Sequence, residues 1–497
     1  MVYLLKWNSY SLEEQALCVF TQGILNRKNI KVFIDIDNYL SYLHEEHKEI
    51  SIYDLIIKYK NEFSNIITYN LDSSDVSINL AAMLCAKYDF LAVPNKIIDK
   101  VLSIIDLKVI YNLDNFKGSN AYRQKIVFNS VKDKLNNNAL VHQVVKKDNF
   151  HLMLRDYSIK NRLACIYTSE NSEDLSFREE ILRWLKPVSP IYGWNDDEIS
   201  FIKHISKYGH YALPSDWSSN HSYFIESNKN KIKQKTKRTE IRKNKHYLAI
   251  VVSDGDNIQW LERDFQTTST FGNRLKSPLN YKITWTISPS LINISKEVIE
   301  NIYNTPKNDY FIASVSGIGY ANILSFPDKF IKEFIDKSMK GMEKSDQRVV
   351  CLLDGLDTFT SNEFVSSRLQ YYSKNDKIIG GIWEIDPDRY SSGNGKIIFS
   401  NGKPFVSVRY SLWCPYATTG NTPKSFLDEY INKINSMKPN IHSQDGYTVL
   451  NVHPWSISIN DLDYVISHLH DDIELVYADE LIELIKENMV EKYDKNN

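Results

Sequence analysis

Apolar positions in the first part of the chain switch repeatedly between helical and strand spacing. Leu12 to Asn26 repeats as an amphipathic helix, and Ile30 to Ile36 reads as a strand. Asp54 to Glu62 and Ser77 to Lys87 are predicted helices; Asn65 to Tyr69 and Phe90 to Pro94 are predicted strands. Such βα alternation predicts a mostly parallel sheet. From about Asn149 the pattern loosens, with helices expected over Ser176–Leu185 and Asp197–Gly209.

The last part of the chain is more regular. Eight β-branched, apolar runs recur: Tyr247–Ser253, Tyr281–Ser288, Tyr310–Ser316, Arg348–Leu353, Ile378–Glu384, Phe405–Leu412, Tyr447–Val452 and Ile473–Tyr477. Helical patterns fill most gaps, at Lys296–Asn304, Lys329–Met342, Ser361–Tyr372, Lys424–Met437 and Ile459–Leu469. Between the fifth and sixth runs, Ile397 to Lys403 carries Asn401-Gly402 and reads as a type I′ hairpin. The fold class expected is α/β: a C-terminal (β/α) barrel of seven or eight strands after an α/β N-terminal domain.

One stretch breaks the pattern. Nine Lys or Arg residues lie between Lys229 and Lys245 against a single Glu240, with no apolar period. It reads as a solvated linker or exposed loop. The expected boundaries are therefore 1–228 (with a break near 148), a basic linker at 229–245, and 246–490. No aromatic residues interleave with these charges, so a nucleic-acid partner is not expected.

Composition narrows the class further. The chain has 497 residues, 42% hydrophobic and 25% charged, enough for more than one packed core. A net charge of −2 gives no general attraction to nucleic acid or an anionic membrane. The five cysteines, Cys18, Cys85, Cys165, Cys351 and Cys414, form no CxxC and sit mostly in apolar runs. They suggest a reducing, cytoplasmic location. Met1 to Tyr10 lacks the features of a signal peptide, and no apolar stretch approaches a membrane span, so no membrane partner is expected.

In a barrel of this kind chemistry sits where the strands end. The runs end in Asp254-Gly255-Asp256-Asn257, near Trp285, in Gly317-Ile318-Gly319-Tyr320, in Asp354-Gly355-Leu356-Asp357, in Trp383-Glu384, at Arg409, and in His453-Pro454-Trp455. Carboxylates that bind hydroxyls, with aromatic rings that stack on sugar faces, suit a carbohydrate site. Each item also has a plainer reading: Asp254-Gly255 as a turn that caps a helix, Asp354 as a turn residue, Glu384 as a solvated strand end, His453 as a packed core histidine. Gly317-x-Gly319 lacks the third glycine of a dinucleotide loop; its glycines fit close approach to a ligand. HExxH, GxSxG and Walker-type runs do not occur in the sequence.

Several segments together are specific. Ser11-Leu12-Glu13-Glu14-Gln15, Ser77-Ile78-Asn79-Leu80-Ala81, Arg155-Asp156-Tyr157, Tyr192-Gly193-Trp194 and Ser215-Asp216-Trp217 stand in the first half. Ser253 to Asn257 with Gln259-Trp260, Trp285 to Ser290 and Val452-His453-Pro454-Trp455 stand in the second. The chain thereby resembles, over nearly its whole length, the glycoside-hydrolase-like proteins named for a GxGYxYP motif. Gly317-Ile318-Gly319-Tyr320 keeps the first half of that signature, but Asn322 and Ile323 stand where the family has Tyr and Pro.

The resemblance implies a carbohydrate-active protein. The expected function is glycoside hydrolysis, with Glu384 as acid and Asp254 or Asp354 as its partner, and His453 as a further acid/base candidate. Asp256, Asn257, Trp285, Gly317, Gly319, Tyr320, Trp383, Arg409 and Trp455 are candidate substrate contacts, with Trp194 and Asp216 from the first half. No cofactor is expected; a divalent cation, if used, would fall to Asp254, Asp256 and His453 in a deacetylase-like reaction. A non-catalytic sugar-binding protein is the third reading.

Overall fold

The structure is a computed structural model that describes residues 1–71, 75–224, 231–267, 270–305, 307, 309–354 and 362–493. The fold is mixed α/β with parallel sheets. The chain divides into two compact units, Met1–Asn228 with Asn293–Lys296, and Lys229–Ile292 with Glu297–Asn497.

The first unit carries three small parallel sheets. β1 (Val2–Lys6) lies between β2 (Val32–Asp35) and β3 (His47–Glu49). β4 (Ile66–Tyr69) lies between β5 (Leu91–Pro94) and β6 (Val109–Asn112). The third sheet uses β7 (Asn136–His142), β8 (Leu163–Ile166), β9 (Pro190–Gly193) and β10 (Tyr211–Leu213) in the order 10-9-7-8. The expected helix at Ser77–Lys87 is present with those bounds, and the first helix spans Leu12–Arg27. Its start is fixed by a capping box: Ser11 Oγ accepts the Glu14 N–H, and the Glu14 carboxylate accepts the Ser11 N–H.

The second unit is built on one ten-stranded sheet. Its strands are β11 (His246–Val252), β12 (Ile283–Ile287), β13 (Asp309–Ala313), β14 (Val349–Asp354), β15 (Gly380–Ile385), β16 (Ile397–Ser400), β17 (Lys403–Ser407), β18 (Tyr410–Leu412), β19 (Tyr447–Val452) and β20 (Ile473–Val476). The hydrogen-bonded path is 16-17-15-14-13-12-11-19-18, with β20 also on β11. Among the described residues every pairing in this sheet is parallel except the β16–β17 hairpin, whose turn residues Asn401 and Gly402 both have positive φ, as a type I′ turn requires. The path as paired is an open one, so the expected barrel is not itself observed as a closed ring.

β11 is buried along its whole length, as strands covered on both faces are. Alternate residues form one core: Tyr247, Ala249 and Val251 of β11 meet Ile312, Ile382, Val449 and Val476 of neighbouring strands. Each such aliphatic side chain contributes about 1.5–3 kcal/mol on burial.

Where it is described, the basic stretch carries no helix or strand and is mostly exposed, yet it is held to the second unit at several points. Ile232 N–H donates to Lys344 O, Arg238 forks onto Asp479 at 2.9 and 2.7 Å, and Arg242 reaches Glu474 and Asp471. The sequence shows a run of one sign because the matching carboxylates lie more than 100 positions away.

Candidate active site

Counting along the strands fixes which side chains share a face, since successive residues alternate. On β15, Ile382 belongs to the core, so Glu384 shares its face and Trp383 takes the other. On β14, Val349 belongs to the core; Cys351 and Leu353 follow it, while Asp354 turns to the face of Leu352. Glu384 is therefore brought beside Cys351, and Asp354 is not brought beside Glu384. Asp354 instead lines a small apolar pocket with Trp383, Leu352, Arg368 and Tyr372. Asp357 and Gly355, read with Asp354 at this strand end, lie outside the described residues.

Glu384 is 1% exposed, and its Oε1 has no hydrogen-bond partner among the described residues. Burial holds its carboxyl well above the ordinary carboxylate pKa; the charge of Asp254 adds to this, as do Asp256 and Asp386, against the opposing Cys351 thiol. The thiol is itself pushed up by burial and by Glu384. Asp386 is raised as well, mainly by burial.

Asp254 is placed by a strained turn. It has φ +68°, and Gly255 follows because a Cβ there would stand 1.6 Å from Thr286 O. Gly255 N–H donates to Thr286 Oγ1 at 3.0 Å, and Ser288 N–H donates to Gly255 O at 2.8 Å, which pins the turn to the end of β12. The Asp254 carboxylate accepts from Ser253 Oγ (2.5 Å) and from Trp455 Nε1 (3.1 Å). Asp256 is buried in the same turn. Asn257 sits at the N-cap position of the helix Ile258–Glu262 without a side-chain cap, and its amide leans on Asp254 O. The segment is thus a turn that leads into a helix, as the plainer reading has it, but it supplies no side-chain cap.

His453 follows β19 and stacks flat on Trp413, centroids 3.8 Å apart at 8°. Its Nδ1 is 3.1 Å from Ser456 Oγ. Burial lowers its pKa, with Asp254 pulling the other way. Asp254 is thus the shared electrostatic neighbour of Glu384 and His453. Trp455 is 44% exposed, and Trp413 also meets Tyr390 at 5.1 Å, so aromatic rings border the acidic group. Among the described residues no set of three or more His, Cys, Asp or Glu is arranged to hold a metal ion, and Asp254, Asp256 and His453, to which a cation would fall if one were used, form no such set.

Other sequence candidates are placed elsewhere. Trp285 is buried on the face of its strand opposite the core cluster, packs against Phe271 and Phe265, and donates Nε1–H to Asp309 at 3.0 Å. Trp383 is buried on the face opposite Ile382 too. Arg409 points toward the starting end of β19, bonding Gln444 O at 2.9 Å, and borders a cavity of about 430 Å³ with Asp388, Tyr430 and Lys433. The signature loop is internal: Tyr320 is buried, and a Cβ on Gly317 (φ +98°) would meet Ser338 Cβ at 2.7 Å. Gly317 is needed for packing on the helix Asp328–Lys344, whose Ser338 Oγ also accepts the Ile318 N–H. Gly319 belongs to this same loop. Trp194 lies in the first unit, half-buried, with its ring edge-on to Phe201; Asp216 belongs to that unit too.

Cys351, Asp386, Trp413 and Tyr390 were not picked out as site residues by sequence reasoning. Of these, Asp386 and Trp413 carried a usable signal, their places just past the fifth and sixth apolar runs.

These features define an α/β protein with an acidic, aromatic-bordered group at the C-terminal ends of parallel strands. Residues 244–486 match the "GxGYxYP putative glycoside hydrolase C-terminal domain", and residues 139–225 match the "GxGYxYP third domain". The chain belongs to the GxGYxYP family. The crystal structure of "a putative hydrolase" from Bacteroides thetaiotaomicron is similar to it at 24% identity and a TM-score of 0.85, covering 98% of this chain and 94% of that one; the likeness speaks to the fold. Comparison with curated proteins gives no match.

Proposed function

We propose that this chain is a glycoside hydrolase whose reaction takes place at the strand ends of the second unit, with Glu384 as general acid and Asp254 as its partner carboxylate. The observation that carries the reading is the buried Glu384 carboxyl, without a cation partner among the described residues and raised in pKa by burial and by Asp254. A carboxyl that keeps its proton near neutral pH can give it to a leaving glycosidic oxygen. Asp254, oriented by Ser253 and Trp455, then either attacks the anomeric carbon or takes the proton of an attacking water. In both cases the C–O bond breaks, the leaving oxygen gains the Glu384 proton, and water supplies the OH of the released sugar.

In this reading the sheet works as a (β/α) barrel. β17 lies on β15, and β18, two residues later, lies on β19; the linking Val408 and Arg409 N–H groups donate to Trp383 O and Val449 O. Taking β17–β18 as one bent strand gives a ring of β11 to β15, this strand and β19, with β20 beside β11. Trp455, Trp413 and Tyr390 would supply stacking faces for the substrate. A cytoplasmic location fits the five buried, free cysteines. Among the described residues no helix is long and apolar enough to cross a membrane.

The test is Glu384→Gln assayed on two substrate types. Hydrolysis of unactivated oligosaccharides falls steeply, while aryl glycosides with good leaving groups, which need little acid assistance, retain much of their rate. Equal loss on both, or no loss on either, removes Glu384 from the acid role. Sugar binding without turnover across both types favours the non-catalytic reading.

A further inference from the structure

The first unit carries an aromatic surface that the proposed reaction does not use. Trp217 is 44% and Phe150 41% exposed, their rings 5.8 Å apart and inclined by 39°. The Trp217 indole is locked: its Nε1–H donates to His151 Nε2 at 2.8 Å. That makes Nε2 an acceptor, so the ring proton sits on Nδ1 and is given to Asp148, both of whose oxygens are 2.8 Å away. The Asp148 carboxylate also accepts the Phe150 and His151 N–H groups. Gln143 Nε2 ties the two loops together by donating to His151 O and Asp216 O.

The polar edge of Trp217 is therefore engaged within the protein while part of the ring stays in water. Beside it, Asp216 is 5% exposed, its Oδ2 is 3.5 Å from His151 Nε2, and its Oδ1 has no hydrogen-bond partner among the described residues. A buried carboxylate oxygen left without a donor is costly unless a ligand supplies one. A fixed aromatic face next to a lone acceptor matches a pyranose: apolar C–H groups on one face of the ring, a hydroxyl donor at its edge.

We infer that Trp217 and Phe150, with Asp216, form a second carbohydrate-binding site, contained in the first unit and selective for a neutral sugar. It rests on the carbohydrate reading above only for its class of ligand. An anionic sugar is disfavoured by Asp216 and Asp148.

The experiment is calorimetric titration of the full chain, in the Glu384→Gln background, with neutral gluco-, manno-, galacto- and xylo-configured oligosaccharides. The expected result is a binding event weakened at least tenfold by Trp217→Ala or Phe150→Ala, weakened several-fold by Asp216→Asn, and preserved in Asp254→Ala. Phe150→Ala, at an exposed ring, decides the matter if Trp217→Ala fails to fold. No binding by any of these sugars, or binding indifferent to both aromatic variants, overturns the inference. If the Trp217-dependent event is present but the wild-type chain turns nothing over, this site stands and the hydrolase reading fails. Turnover without such an event gives the reverse.

Discussion

Two of the buried carboxyl groups of the second unit, Asp309 and Glu384, are treated in opposite ways. Asp309, at the start of β13, is 2% exposed and fully provided for: Arg274 contacts its Oδ1 at 3.2 and 3.3 Å, and the Trp285 indole N–H donates to its Oδ2 at 3.0 Å. Burial still pushes its pKa up to about 6, with Arg274 restraining the rise. Glu384, at the other end of a parallel strand two places along the sheet, is as deeply buried but faces Asp254, Asp256 and Asp386. A buried acid paired with a cation holds structure; a buried acid set among other acids costs stability and is available for chemistry.

The contrast breaks most visibly at Glu384. Replacement by Gln is expected to lower turnover of unactivated glycosides about 10²–10⁴-fold, the usual range for a lost general acid. The same change is expected to raise thermal stability at neutral pH. Because the folded pKa lies above that of the unfolded carboxyl, the unfolded chain releases its proton first as pH rises. Wild-type stability therefore declines from about pH 4 up to the folded pKa, and the Gln variant lacks that decline. Melting temperatures of both proteins across a pH series measure this.

Asp309→Asn should behave in the opposite sense. It leaves Arg274 buried without its counter-charge, and a loss of about 3–5 kcal/mol in urea denaturation is expected, with activity retained in the fraction that stays folded. A stable Asp309→Asn protein that has lost turnover would invert the comparison. A smaller effect is expected from Trp455→Phe, which keeps the ring but removes the N–H donated to Asp254. At this half-exposed position the change costs about 1 kcal/mol, read as a several-fold fall in kcat/KM. The smallest concerns Cys351→Ala. The thiol lowers the Glu384 pKa, so its removal moves the basic limb of the pH–rate profile slightly upward.

How far the sequence reveals this contrast depends on periodicity. Long apolar runs located the strands of the second unit, and Asn401-Gly402 located the hairpin, because burial and turn geometry act on neighbouring residues. β3 and β6 gave no such signal, since their residues are exposed and need not alternate. At the strand ends, position alone misled: Asp354 and Trp383 end runs as Glu384 does, yet face the other way. Counting in twos from Val349 and Ile382 separates them, but which residues face the core is known only from tertiary packing. Arg409 could not be placed from sequence, because the sixth run pairs with β15 in its first half and β19 in its second. Asp309, at the start of a strand rather than its end, was passed over; its partner Arg274 is 35 positions away.

The acid role of Glu384 requires that it carry a proton in the folded protein at neutral pH. Infrared difference spectroscopy on chain with ¹³C-labelled Glu carboxyls, wild type minus Glu384→Gln, reads this directly. A protonated-carboxyl band at pH 7 that is present in the wild type and missing from the variant is the expected result. A difference spectrum containing only the carboxylate bands at pH 7 would contradict it.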